Sequence, residues 1–426
     1  MEKKVKNAWA FYDWANSVYS LVISTAIFPL YFASVTPEFV EFFGNKLSSG
    51  ALYSYSISVA FIIVAILSPL LSGIADHTGS KRKFLKFFCY MGSLACMGLY
   101  FFNGDNLVFG LAMSIIASVG FWGSLVFYNA FLPEIAPPEE HDSLSAKGFS
   151  LGYVGASILL IIILIMMGNF EALGYPNEGG PIRLGFILVG LWWLGFAQFT
   201  LRKLPNNPYQ RKSGEKYIWK GFQEFKKVWF ELKEQKSLRR FLYSFFFYSM
   251  GVQTVIMLAV LYGDFLEIEK EKLIITILII QFVAVIGALL FSKISAKFGN
   301  LQSIKVSLIV WALVCGLAYS LTVGDPNIDL KFYAVGGVVG LVMGGIQSMS
   351  RSTFSKMLRE DTQNHASYFS FYDVSEKIAV VIGTLTFGLL LEIYDNNMKA
   401  SALSLVVFFV IGYLLILRIK RTKHVR

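Results

Sequence analysis

Charge is the scarcest property of this chain of 426 residues: only 15% are Asp, Glu, Lys or Arg, against about 25% in soluble domains. That shortfall excludes a soluble domain of appreciable size. Cysteine is scarce too. Cys89, Cys96 and Cys315 all lie inside apolar stretches, which suits buried reduced thiols and leaves no disulfide framework. The four histidines, His77, His141, His365 and His424, are far apart and read as loop or tail residues. There is no His-Glu-x-x-His pair and no Gly-x-x-x-x-Gly-Lys-Ser/Thr loop, so neither a catalytic metal nor an ATP-driven pump has a motif to rest on. No cofactor or metal is expected. The N-terminus lacks the short apolar region and small-residue cleavage site of a secretory signal. No Asn-x-Ser/Thr acceptor occurs, which weakly favours a bacterial plasma membrane.

What the chain does have is apolar length. Segments of about 20 residues recur at 8–32, 53–75, 84–102, 107–132, 148–168, 183–201, 240–262, 273–292, 304–323, 332–355, 367–392 and 400–418. At about 1.5 Å per residue each spans the roughly 30 Å hydrocarbon of a bilayer, and lipid forces such spans to be helices. Twelve spans place both termini on one side. Of the 38 Lys and Arg, Lys46, Arg183, Lys270, Lys272, Lys331 and Lys399 occupy one set of loops, Arg351 and Lys377 sit in or beside helices, and the rest fall on the other side. Basic loops stay inside, so both termini are expected to be cytoplasmic, in an integral plasma membrane protein. The net charge of +10 then reads as topology plus attraction to anionic lipid on the cytoplasmic side, with no nucleic-acid partner.

The longest polar stretch, 202–239, divides the chain into 1–201, a cytoplasmic linker, and 240–426 with its basic tail. In the linker Ile218, Phe222, Phe225, Trp229 and Leu232 recur at helical spacing among Lys220, Lys226, Lys227 and Lys233, the pattern of an interfacial or a solvated helix. The halves repeat. Ser72 to Gly79 matches Ser292 to Gly299 at an offset of 220, Phe149-Ser150 matches Phe369-Ser370 at the same offset, and Phe11-Tyr12 matches Phe247-Tyr248. The expected fold is all-α, twelve membrane helices in two pseudo-symmetric bundles of six around a central solute site, as in major facilitators.

Polar residues inside spans mark function. In the first helix Asp13, Ser17, Ser20 and Ser24 form an expected stripe, beside Tyr12 and Asn16. Asp13 reads either as a cation, proton or amine site or as a gate contact near the helix end. Tyr128 and Asn129 close the fourth helix. In the second half Tyr248, Gln253, Gln347, Arg351, Asp373, Glu376 and Lys377 are the counterparts. Asp373 and Lys377, four apart, can neutralise each other, leaving Glu376 to meet Arg351 or to titrate. Coupling and gating both remain open for this group. Asn16, Tyr128, Asn129, Tyr248, Gln253 and Gln347 are the expected solute contacts. Glycine stripes at Gly336, Gly340 and Gly344, and at Gly148 and Gly152, read as close helix packing.

The loop Gly73-Ile-Ala-Asp76-His-Thr-Gly79-Ser-Lys81-Arg82 resembles the signature loop of the major facilitator superfamily. The resemblance implies a conformational latch, mainly in the first half because Ala296 stands where the second carboxylate would be; an ordinary charged turn is the alternative. Tyr12-Asp13-Trp14-Ala15-Asn16-Ser17, Phe127 to Glu134, and Gln347 to Ser352 resemble the bacterial branch related to the fungal autophagy-linked vacuolar amino-acid effluxers. That implies a monomeric secondary carrier exporting or exchanging amino acids or similar small polar solutes, with a proton or cation as coupling partner. A carrier of lysophospholipids or other amphiphiles is the alternative within transport; a multi-span sensor, channel or membrane enzyme is the alternative outside it.

Overall fold

The computed structural model describes residues 2–42, 44–206 and 217–420. Residues 207–216 of the linker and the tail from Arg421, with His424, lie outside the described residues, as do the side chains of Ile218 and Lys220. The helices are α1 Lys3–Ala26, α2 Phe28–Val35, α3 Ser49–Thr78, α4 Lys81–Phe101, α5 Leu107–Ile135, α6 Pro138–Gly168, α7 Gly179–Lys203, α8 Tyr217–Glu234, α9 Lys236–Phe265, α10 Lys270–Phe298, α11 Asn300–Ser320, α12 Ile328–Met357, α13 His365–Ile393 and α14 Met398–Leu417. Among the described residues eleven helices are long and apolar enough to cross a membrane, and α1 with α2 forms a twelfth candidate bent by 40°. Between α2 and α3 the only described strands form a small antiparallel hairpin, Phe39–Phe42 on Asn45–Ser48, in a stretch read from sequence as plain loop.

The chain forms two compact units. One comprises Met1–Phe131 and Val154–Phe225, the other Leu132–Tyr153 and Lys226–Arg426. The segment Leu132–Tyr153 therefore packs with the second unit, although it precedes the midpoint of the chain. Hydropathy starts the fifth span at 148, whereas α6 begins at Pro138. The early turns carry His141, Asp142 and Lys147, which a hydropathy reading takes for loop; His141 and Asp142 are buried in helix.

Lipid tails are as apolar as leucine, so helices in a membrane are held by close packing more than by apolar burial. The Gly336, Gly340, Gly344 stripe does this on α12. A Cβ added at Gly344 would lie 2.0 Å from the Ala284 carbonyl oxygen of α10, and one at Gly340 would lie 2.5 Å from that of Ile280. Gly287 of α10 answers from the other side, against Leu341. Large side chains such as Ile66, Val108, Leu289, Leu385 and Leu414 point outward, as a lipid-facing belt requires.

The polar stripe expected along α1 breaks up. From Tyr19 to Ala26 the helix is π-wound, each N–H bonding five residues back instead of four, and Thr25 Oγ1 adds a bond to the Ser20 carbonyl at 2.9 Å. The wider winding changes the angular spacing. Asp13 is buried, Ser17 and Ser20 are half-buried, and Ser24 is exposed.

Candidate functional site

In the first unit α1, α5 and α7 build an aromatic box around one carboxylate. Tyr128 donates its hydroxyl to Asp13 Oδ2 at 2.9 Å. Trp9 stacks on the Tyr128 ring with centroids 4.6 Å apart and donates its indole N–H to the Tyr128 carbonyl at 2.8 Å. Tyr12 lies against the other side of Tyr128 and accepts from Trp193 at 3.4 Å. The box is fixed by register: Thr200 of α7 bonds the Ala8 carbonyl at 2.6 Å, and Trp192 bonds that of Trp14 at 3.0 Å. Asn16, one turn from Tyr12, is buried, and its amide nitrogen has no hydrogen-bond partner among the described residues. Asn129 and Ser17 are half-buried. Tyr12, Asp13 and Tyr128 are thus brought together, with Asn16 one turn along α1.

The signature loop is also built as a unit. Asp76 pairs with Lys81 at 3.5 Å, both fully buried. Gly79 caps α3 in the left-handed conformation at φ 68°, which costs glycine nothing. Arg82 donates to the Leu204 carbonyl at 2.9 Å. Gly73 has a different task. A Cβ there would meet the Gly221 carbonyl oxygen at 2.1 Å, so it is the point where α8 closes onto α3.

In the second unit α9 and α13 hold an acidic cluster. Lys377 reaches Asp373 Oδ1 and Glu376 Oε2, each at 3.0 Å, and Gln253 donates to Glu376 Oε1 at 3.0 Å. Asp373 Oδ2 is buried without a hydrogen-bond partner among the described residues. One ammonium therefore faces two carboxylates. Tyr248 shares a hydrogen bond of 2.7 Å with Ser350, and Tyr372 stacks on Phe245 at 4.1 Å below it.

The sequence leaves Glu376 either to meet Arg351 or to titrate; here Lys377 reaches it as well as Asp373, because the lysine stem is long enough to serve its neighbour in sequence and the residue one turn back. Arg351 reaches α6. Its Nε donates to Ser145 Oγ at 2.9 Å, Nη2 donates to the Ser145 carbonyl at 2.9 Å, and the guanidinium lies 4.1 Å from the Phe149 ring centroid. Tyr153 of α6 donates to Gln347 Oε1 at 2.6 Å, so Gln347, like Arg351 one turn along α12, is held by α6.

A third cluster is absent from the sequence reading. Lys356 Nζ lies 2.6 Å from Asp142 Oδ2 and 3.0 Å from Asn300 Oδ1. Asn300 and Ser295 also donate to Asp142, each at 2.7 Å. Nearby, His365 Nδ1 lies 3.0 Å from Glu134 Oε1. His141 and His365 are therefore buried helix residues, not loop residues. The turn at Gly299, which lacks a carboxylate of its own at Ala296, thus has an ionic cluster beside it whose carboxylate is Asp142. The usable signal was Asn300, which follows Gly299 as Ser80 follows Gly79. Gly148-Phe149-Ser150-Leu151-Gly152 has the letters of a hydrolase nucleophile elbow. That elbow needs a strand-to-helix turn, and here the five residues are uninterrupted α6.

Apolar spans enclosing buried, hydrogen-bonded charge define a multi-pass membrane protein of the major facilitator class. The solved structures agree on the fold. The chain resembles the facilitator FucP in its outward conformation at a TM-score of 0.69, with 12% identity and 99% of each chain covered. It resembles the proton:xylose symporter XylE at 0.65, with 14% identity and 96% and 93% covered. In sequence it is 30% identical to an uncharacterised MFS-type transporter, YxiO of Bacillus subtilis, over 97% of this chain and 94% of that one. It is 24% identical to autophagy-related protein 22-1 of Penicillium rubens, over 90% and 78%. Residues 1–141 and 136–426 match the family described as vacuole effluxer Atg22 like, and the chain belongs to that family of MFS-type secondary transporters.

Proposed function

We propose that the protein is a carrier that exports amino acids or related small polar metabolites from the cytoplasm by alternating access, with proton movement coupled through the α13 acidic cluster. It transports and does not catalyse. Its termini lie in the cytoplasm and its membrane is the plasma membrane. The observation that carries this reading is the sharing of Lys377 by Asp373 and Glu376, which leaves one buried negative charge beyond what the ammonium can balance. Uncompensated charge at membrane depth is expensive, so a proton or the ammonium group of a solute completes the cluster. In the first unit Asp13, bonded to the Tyr128 hydroxyl, and the unpartnered Asn16 amide one turn along α1 offer an acceptor and a donor for the two charged ends of an amino acid. The family's fungal relatives support solute efflux, and the symporter fold neighbours support ion-driven transport.

The test is flux of labelled amino acids in proteoliposomes with and without a pH gradient. The gradient should accelerate flux by the wild type and leave Glu376→Gln unmoved, with binding retained. Gradient-driven flux undiminished in Glu376→Gln would remove this carboxylate from coupling.

A further inference from the structure

One surface of the first unit is used by none of the clusters above. It lies where α4 meets α7. The two helices approach closely: a Cβ at Gly92 would stand 2.5 Å from the Trp193 ring, and one at Gly190 would stand 2.5 Å from the Ser93 carbonyl oxygen. Outside this seam the surface is apolar and open. Phe87 and Leu94 of α4 and Leu191 of α7 are exposed, and a Cβ at Gly195 would meet nothing within 4 Å. Toward the helix ends that carry the basic residues, the character changes in steps of one turn. Tyr90 donates its hydroxyl to Gln198 Oε1 at 2.9 Å, bridging the groove, while Gln198 Nε2 donates to the Leu194 carbonyl. One turn further, Lys86 Nζ lies 5.2 Å from the Tyr90 ring centroid and Lys203 Nζ lies 5.7 Å from that of Phe199. Lys83 and Arg202 complete the rim, both exposed. Among the described residues no carboxylate pairs with any of these four cations.

We infer that this groove is a binding site for one anionic phospholipid. Its phosphate lies among Lys86, Arg202, Lys83 and Lys203, its glycerol ester region lies over the Tyr90–Gln198 bridge, and an acyl chain follows Leu94, Gly195 and Leu191. Three arguments favour this occupant. The groove faces outward on membrane-spanning helices, so lipid is the surrounding medium. The polar atoms of the bridge already satisfy each other, which leaves no directional demand for a polar solute. Four cations without a carboxylate select an anionic headgroup over a zwitterionic one.

Native mass spectrometry of the full chain in detergent, offered equal phosphatidylglycerol and phosphatidylcholine, tests this. The wild type should retain phosphatidylglycerol preferentially. Lys86→Gln with Arg202→Gln should lower that retention about thirtyfold. Lys293→Gln with Lys297→Gln, which removes two cations from α10, should leave it unchanged. Gly195→Trp fills the groove without altering charge and should also displace the lipid. Melting temperature in phosphatidylcholine alone reports whether each variant is folded; an unfolded Lys86/Arg202 double variant leaves the decision to Gly195→Trp. Three results would overturn the inference: no lipid preference in the wild type, equal losses from the α10 pair, or displacement by soluble glycerol phosphate, which would mark a free-anion site.

Discussion

At the residue scale the molecule is organised by how it compensates charge away from water. Asp142 has Lys356, Asn300 and Ser295 all bonded to it. Removing one member of a buried pair strands the other, at a cost of about 3–5 kcal/mol, whereas replacing both by apolar residues is nearly neutral. Asp142→Leu alone should therefore lower the unfolding free energy by that amount in a reversible detergent titration. Asp142→Leu combined with Lys356→Met should recover most of it. A double variant as unstable as the single one would show that the pair contributes more than mutual neutralisation. These residues also mark where sequence stops being sufficient. Asp13 and Tyr128 could be named because a carboxylate and a tyrosine inside apolar spans are conspicuous. Asp142, near the start of α6, and Glu134, at the end of α5, could not, because charges at helix ends look like loop residues until their burial is known.

At the scale of elements, glycine sets the α10–α12 contact and proline breaks the first span. Gly344→Leu must displace α10 backbone, since the nearest atom to an added Cβ is the Ala284 carbonyl oxygen. It should cost at least about 1–3 kcal/mol, seen as a lower melting temperature. Gly337→Leu on the same helix, where nothing lies within 4 Å, should melt close to wild type. Equal losses at both positions would mean that the stripe does not set the helix distance. The connection before α12 has a pH signature of its own. Asp325 accepts from Lys331 and from the Asn327 backbone N–H at 2.9 Å, and these bonds hold its carboxyl below the usual carboxylate value. A depressed folded value stabilises at pH above the unfolded value of about 4 and is lost as pH falls through the folded one. Asp325→Asn should thus melt slightly lower than wild type at pH 7, and the difference should shrink as pH falls below about 4 and be gone only below the depressed folded value. A difference that persists in acid would assign the effect to the turn and not to the charge. Span positions were legible from hydropathy to within a few residues for most helices. The 40° bend before Pro29 and the π-wound stretch were not, because periodicity in an almost wholly apolar run carries little phase information.

At the scale of the whole molecule, the repeat offset of 220, the basic loops and the signature turn are legible in the sequence, and they suffice for the fold. The allocation of Leu132–Tyr153 to the second unit is not legible, since it depends on Arg351, Gln347 and Lys356 choosing partners more than 190 residues away. The same polar residues serve a carrier, a channel or a sensor equally well when read one by one, and only cooperative behaviour of the complete protein separates these. Counterflow separates them most directly. Proteoliposomes loaded with unlabelled amino acids and diluted into a trace of the labelled form should accumulate label transiently above its equilibrium level, because a carrier returns loaded faster than empty. A monotonic approach to equilibrium, or no uptake of any amino acid, would contradict transport by alternating access.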